Sequence, residues 1–309
     1  MSNFFAVGSQ VMILFLLMLI GFVCNKTKIL SEEANKRISD VVVILVTPCV
    51  IIQSFQREFK EELLLEIGIA LLISFILHLA MILAVHFIYR KQEDKRRRVL
   101  SFASVFSNAG FIALPLQSAL LGADGVLMGA AYLVVFNIML WSYGITLMSG
   151  DKTMITPKKL LFSPGIIGVV VGMIVFVFSI KLPSVINSTI SYMAALNVPL
   201  PMLVVGYYLG KTNVFEVFRD GQSMKCIFVR LILFPIVTLA LLCMCGVKGT
   251  MLSAMVIAMS APVGATTTMF SEKFGRDTQL SVKLISLSTL LSILTMPVIV
   301  GFTQMIAIY

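Results

Sequence analysis

Ten long apolar runs, set apart by short connections, constrain this chain more than any motif in it. They cover about 5–24, 36–55, 63–89, 97–121, 124–148, 160–180, 187–209, 224–246, 250–274 and 278–305. About 20 residues of α-helix span the hydrocarbon of a bilayer, so runs near 18 residues or longer mark membrane-crossing helices. Composition agrees: 59% of the residues are hydrophobic and 13% charged, against roughly 45–50% and about 25% in soluble domains. A chain this apolar lacks the polar surface to cover a soluble globule. The same figures exclude a disordered chain, a secreted disulfide scaffold and a nucleic-acid module, whose basic residues would gather on one wet face. Cys24, Cys49, Cys226, Cys243 and Cys245 sit in or beside apolar runs with no Cys-x-x-Cys pair. They read as small core residues and predict no metal site. The expectation is an all-α integral membrane protein with ten transmembrane helices.

The net charge of +9 belongs to the connections. The first holds Lys26, Lys28, Lys36 and Arg37, and the second Arg57 and Lys60. The third holds Arg90, Lys91, Lys95, Arg96, Arg97 and Arg98, and the fourth none. Lys152, Lys158 and Lys159 follow in the fifth, Lys181 in the sixth, and Lys211, Arg219 and Lys225 in the seventh. The eighth has Lys248, and the ninth Lys273, Arg276 and Lys283. Odd connections total 19 and even ones 4. Cytoplasmic loops carry the excess of Lys and Arg, so the odd connections face the cytoplasm and both termini lie outside. The protein is expected to be multi-pass in the plasma (inner) membrane. Miscounting one helix would destroy this alternation. No Lys or Arg precedes the first run, so the charged n-region of a cleavable signal peptide is missing.

The two halves of the chain match weakly at an offset of 153 residues. Gly122-Ala123-Asp124 aligns with Gly275-Arg276-Asp277, Pro48 with Pro201, Ser31 with Ser184, and Ser107 with Ser260. Asn108-Ala109-Gly110 then falls on Ala261-Pro262-Val263. The reading is two five-helix repeats, 1–153 and 154–309. Five is odd, so the second repeat crosses the membrane in the opposite sense to the first. Inverted repeats with broken helices in corresponding positions are a transporter signature, with the site at the midplane crossing.

The breaks, around 108–115 and 260–268, carry the chemistry. Gly110 lowers helix propensity and Pro115 removes a donor and clashes with the preceding turn; Pro262 and Gly264 do the same in the second half. Unwound backbone at membrane depth is tolerated where protein buries it or it lines a wet cavity. Two such stretches crossing would turn half-helix N-termini, with free N–H groups and positive dipole ends, toward a common point. That is an anion site built without a charged side chain. Asn108, Ala109, Gly110 and Pro115 on one arm, and Pro262, Gly264, Thr266 and Thr267 on the other, are the candidate substrate-binding residues.

The same segments resemble the auxin efflux carrier family, which includes bacterial malonate and malate carriers and plant auxin exporters. Ser107-Asn108-Ala109-Gly110-Phe111 through Leu114-Pro115-Leu116 is similar to the family's fourth-helix crossover. Asn137-Ile138-Met139-Leu140-Trp141-Ser142-Tyr143-Gly144 looks like the fifth helix of its bacterial members. Ala261-Pro262-x-Gly264, Phe270, Gly275, Asp277 and Pro297 resemble its ninth and tenth helices, and Thr47-Pro48 its second. The resemblance covers essentially the whole chain. It implies a scaffold of helices 1, 2, 6 and 7, often dimeric, and a mobile transport domain of helices 3–5 and 8–10 that carries substrate by an elevator-like movement. The threonine run Thr266-Thr267-Thr268 departs from the polar residues the family sometimes places there.

Ionisable groups inside a membrane are functional candidates by default. Asp40, Lys225, Lys283 and Arg230 lie within about two turns of a cytoplasmic end and are expected to snorkel to the interface. His78 falls near the middle of the third run with His86 two turns on along a similar face, and is a candidate for proton coupling. Asn137 is a candidate for substrate contact, and Gln53 and Asn197 are weaker ones on the scaffold side. No carboxylate occupies the middle of any run, which argues against a sodium–proton antiporter. Hydrolase and ATP-binding motifs are missing too. The expected protein is therefore no enzyme and needs no cofactor. It is a secondary carrier for a small organic anion, a mono- or dicarboxylate, driven by a gradient or the membrane potential with H⁺ and Na⁺ as the coupling ions open to it. The alternative is a membrane sensor of the same fold; an appended soluble domain would favour it, whereas Tyr309 follows the last run closely.

Overall fold

In a computed structural model, residues 2–155, 162–210 and 220–307 are described, and every regular element among them is a helix. Lys158, Lys159, Lys211 and Arg219, counted above as cytoplasmic, lie outside the described residues. The first half begins with α1 (Ser2–Lys26), α2 (Glu32–Ser54), α3 (Glu61–Ile88) and α4 (Asp94–Val105). The run Ala109–Ser149 follows, turned at Gly122 (φ 63°, ψ −148°) into α5 (109–121) and α6 (123–149). The second half has α7 (Pro164–Val177), α8 (Ser184–Ala195), α9 (Pro199–Gly210) and α10 (Gly221–Met244). It ends with α11 (Gly249–Ser260), α12 (Thr266–Lys273) and α13 (Thr278–Ala307).

The apolar runs of the sequence are helical throughout their described parts, except at their breaks. Six helical stretches are long and apolar enough to cross a membrane: Glu32–Ser54, Glu61–Ile88, Ala109–Ser149, Ser184–Gly210, Gly221–Met244 and Thr278–Ala307. Three shorter ones, Met12–Lys26, Pro164–Val177 and Gly249–Ser260, are equally apolar. The fourth and ninth runs are each cut in two: α4, α11 and α12 are too short to cross alone, and the second piece of the fourth continues with the fifth in Ala109–Ser149. A further cut separates α8 from α9 at 196–198, ahead of Pro199, which opens α9.

Prolines do less damage here than their chemistry suggests. Pro48, Pro115 and Pro235 each sit second after a π-turn, at Val42–Val46, Ala109–Ala113 and Val229–Leu233. A proline ring collides with the carbonyl four residues back and offers no N–H; the wider i→i+5 turn shifts that carbonyl aside. The helix therefore continues through Pro115, and the break expected at 108–115 lies upstream of it, at 106–108.

Two neighbourhoods result. Helix α1 lies against α9 at backbone contact: a Cβ on Gly206 would fall 1.8 Å from the Met18 carbonyl, and one on Gly21 2.2 Å from that of Leu203. Small residues allow such approach where lipid supplies no hydrophobic drive. Helix α2 packs on α7 and α8. Elsewhere α3, α5, α6, α10 and α13 surround α11 and the chain breaks. Helix α3 shows how a membrane helix divides its faces: Ala70, Leu77, Met81 and Val85 are buried while Leu65, Leu72, Ile76, Leu83 and Phe87 are exposed. Both faces are apolar.

Candidate functional site

Helix α4 ends when Phe106 turns extended (φ −96°, ψ 100°), and α11 ends likewise at Ala261 (φ −63°, ψ 144°). The two extended stretches meet in an antiparallel bridge between Ser107 and Val263. The Asn108 N–H donates to the Pro262 carbonyl at 2.7 Å, and the Gly264 N–H to the Phe106 carbonyl at 2.9 Å. Glycine is required at 264, because a Cβ there would lie 2.8 Å from the Ser107 carbonyl. The Val263 N–H is held by the Ser288 hydroxyl of α13 at 3.1 Å. Behind the bridge, rings pack in sequence from His78 through Tyr132, Phe136, Phe106 and Phe102 to Phe270, centroids 4.6 to 6.4 Å apart.

Beyond the bridge two helices begin. The first N–H groups of α5 (Ala109, Gly110, Phe111) and those of Ala265 and Thr266 at the start of α12 have no acceptor among the described residues. These are the orphan donors of a helix N-terminus, where the dipole is positive. Residues 99–109 and 252–264 are buried throughout, whereas Gly110, Phe111 and Thr266 are partly accessible and Ala265 is exposed. A Cβ on Gly110 would meet nothing within 4 Å. Among the described residues the Asn108 carboxamide makes no hydrogen bond, and the buried hydroxyls of Thr266 and Thr267 have no partner. The free donors thus lie where the buried bridge gives way to accessible residues on both arms.

The other two helix ends, the C-termini of α4 and α11, meet Arg230. Expected to snorkel, this side chain is instead completely buried. Its Nε donates to the Ala261 carbonyl at 3.0 Å, Nη1 to that of Ser104 at 3.1 Å and Nη2 to that of Met259 at 2.5 Å. Longer contacts reach the Ala258 carbonyl at 3.5 Å and the Met81 sulfur at 3.7 Å. A guanidinium, always charged and forked, suits two negative dipole ends at once. The physical reason for the correction is three-dimensional. Distance along α10 to a membrane face favours snorkelling, but the π-turn Val229–Leu233 turns Arg230 inward onto carbonyls that the broken helices leave unpaired. No Asp or Glu is buried among the described residues.

A membrane helix pair broken at a common crossing, with free donors on one side, is the arrangement inferred from sequence for a carrier. The profile of the Mem_trans family, described as membrane transport protein, matches residues 6–300. The chain belongs to this family, the auxin efflux carriers. It is similar to an uncharacterized transporter of Methanocaldococcus jannaschii, 27% identical over 92% of this chain and 94% of the relative. An uncharacterized transporter of Methanothermobacter thermautotrophicus is 23% identical over 91% and 93%.

In this Mem_trans protein the remaining candidates fall at different places. Pro115 is buried about two turns into α5, away from the bridge. Asn137 bonds back to the Leu133 carbonyl at 2.7 Å and faces Gly165 at the start of α7; no hydrogen bond joins it to the crossing. His78 is fully buried, donates from Nδ1 to the Ser74 carbonyl at 2.7 Å, and leaves Nε2 without a partner. Its ring lies on Tyr132, whose hydroxyl reaches the Met259 sulfur at 3.7 Å. His86 is exposed, so the two histidines do not share a face. Gln53 ties α2 to Ser191 of α8 at 2.9 Å. Asn197, in the α8–α9 break, is buried, and neither of its side-chain polar atoms has a partner among the described residues. Sequence reading missed Arg230, Ser288 and Gln117, whose amide reaches from α5 to the Ala254 carbonyl of α11 at 2.8 Å. A single arginine in an otherwise apolar run was the available signal for Arg230. Among the described residues no His, Cys, Asp or Glu cluster suits a metal ion.

Proposed function

We propose that this transporter is a secondary carrier of small organic anions, mono- or dicarboxylates, that binds its substrate at the crossing of the fourth and ninth membrane segments. The observation that carries the reading is charge sign: two partly accessible helix N-termini and, at the other ends of the broken helices, a buried arginine that no buried carboxylate among the described residues offsets. Such a place favours an anion. Asn108, Thr266 and Thr267 supply hydrogen bonds to it, and Asn197, beside α9, is the scaffold-side candidate, since α9 packs against 109–113.

The architecture proposed is ten crossings in two inverted five-helix repeats, 1–153 and 154–309. Support comes from Gly122 and Gly275, paired by the 153-residue offset and both at positive φ (63° and 60°). Both termini lie outside, as the Lys and Arg alternation favours. Helices α1, α2, α7, α8 and α9 form the scaffold, past which the crossing moves as part of a rigid body.

The test is flux in liposomes of the purified protein for malonate, malate, lactate and indole-3-acetate, each with and without Na⁺ and a pH gradient. Saturable flux of at least one anion is expected. Asn108→Ala, and the double change Thr266→Ala with Thr267→Ala, should lower it at least tenfold with the melting temperature unchanged. Unaltered flux in both variants overturns the site. Ligand-induced thermal stabilisation without flux would replace a carrier by a sensor.

A further inference from the structure

Arg230 is the one Lys, Arg, Asp or Glu that is buried among the described residues. All three of its guanidinium nitrogens are committed to carbonyls of the two broken helices. It is thereby neither a free ligand nor a mobile finger. It is fastened to both arms of the crossing and goes where they go. The remaining charges on the helices around the crossing stand near helix ends: Glu61, Glu62 and Glu66 on α3, Asp94 through Arg98 on α4, Asp124 at the Gly122 turn, Lys225 on α10, and Glu272 through Lys283 across α12 and α13. Helix dipoles add no net charge, because each positive end has its negative one.

We propose that Arg230 is the charge on which the membrane potential acts during transport, so that the carrier crosses the field as a cation when empty and neutral when holding a monoanion. The inference rests on the carrier reading above and gives it a direction. An inside-negative potential draws the empty crossing toward the cytoplasmic side, by at most about 50-fold at about 100 mV for a whole charge crossing the whole field. A monoanion bound there cancels the charge, and the loaded crossing moves outward without electrical work. Release outside restores the charge, and the potential returns the empty carrier. Each cycle exports one anion, driven at the return step. With a dianion the loaded crossing bears one negative charge, and the potential favours both half-cycles.

Two measurements on reconstituted protein test this. The first is charge displacement after a voltage step in the absence of any anion. Wild type should show it, Arg230→Lys should keep it, and Arg230→Met should lose it. The second needs no variant: lactate/lactate exchange should be indifferent to a potassium–valinomycin potential, malonate/malonate exchange and net lactate efflux sensitive to it. Anion exchange without substrate-free charge displacement in wild type overturns the role of Arg230 and leaves the anion carrier standing. Displacement that depends on Arg230, with no flux of any of the four anions, does the reverse. Lactate exchange that follows the potential as steeply as net efflux overturns the inference whatever the variants do.

Discussion

Two glycines of the crossing have opposite tolerances. A methyl at Gly264 would press on the Ser107 and Phe106 carbonyls at 2.8 and 3.0 Å, both backbone atoms that cannot step aside. Gly264→Ala should cost about 1–3 kcal/mol, read as a lower melting temperature in detergent. Gly110 has open space and a helical backbone. Gly110→Ala should stabilise by about 0.5–1 kcal/mol and still reduce anion flux, because the methyl stands over the free N–H groups. A melting temperature that falls in the second variant would place Gly110 in a packed site. The glycines and the polar residues beside them were legible in the sequence because their types are rare within apolar runs. The role of Arg230 was not. Its partners, Ser104, Met259 and Ala261, are carbonyls of distant segments, and a carbonyl has no identity in a sequence.

At the scale of elements, what a sequence shows is where a helix is under strain, and not how the strain is relieved. Pro115 reads as a break but lies within a continuous helix because the π-turn ahead of it absorbs the clash. The break itself falls where α4 runs out, at residues with no helix-breaking chemistry, Phe106 and Ser107. Helix starts are more readable. Asp220 caps α10, accepting from the Gln222 N–H at 3.3 Å and from the Ser223 hydroxyl, and pairs with Arg96 of α4. Partial burial raises its pKa, but the Ser223 and Gln222 hydrogen bonds and the Arg96 charge outweigh this, and the pKa sits below its ordinary value. A depressed value in the folded state means stability present above about pH 4 and lost as pH falls through the folded value. The side chain is about a third exposed, so solvent screening keeps the contribution small. Asp220→Asn should lower the melting temperature at pH 7 and flatten its decline between about pH 5 and pH 3. An unchanged decline would assign acid sensitivity to other carboxylates.

Over the whole molecule, hydropathy alone gave the helical membrane class and the family resemblance its use as a transporter, while the grouping of helices became visible only through contacts. If the crossing moves as one body, its arms stay together while its border with the scaffold slides. With the five native cysteines replaced, a disulfide between Ser107→Cys and Val263→Cys should leave transport intact, since residues paired in this way have Cα atoms about 4.5 Å apart. Linking Asn137→Cys to Gly165→Cys, across α6 and α7, should stop transport until a reductant is added. The opposite pattern would mean that the arms part during the cycle. Gly122 and Gly275, 153 residues apart and both at positive φ, are what two copies of a half-length chain would carry about a two-fold axis. In such an ancestor the inward-open and outward-open forms would be related by a two-fold rotation and equal in energy, and neither direction of travel would be preferred. The stretch that corresponds to Arg230 in the first half, Ser74 to Leu77, bears no charge. A single arginine on one copy therefore breaks the degeneracy, and a symmetric carrier acquires a resting side.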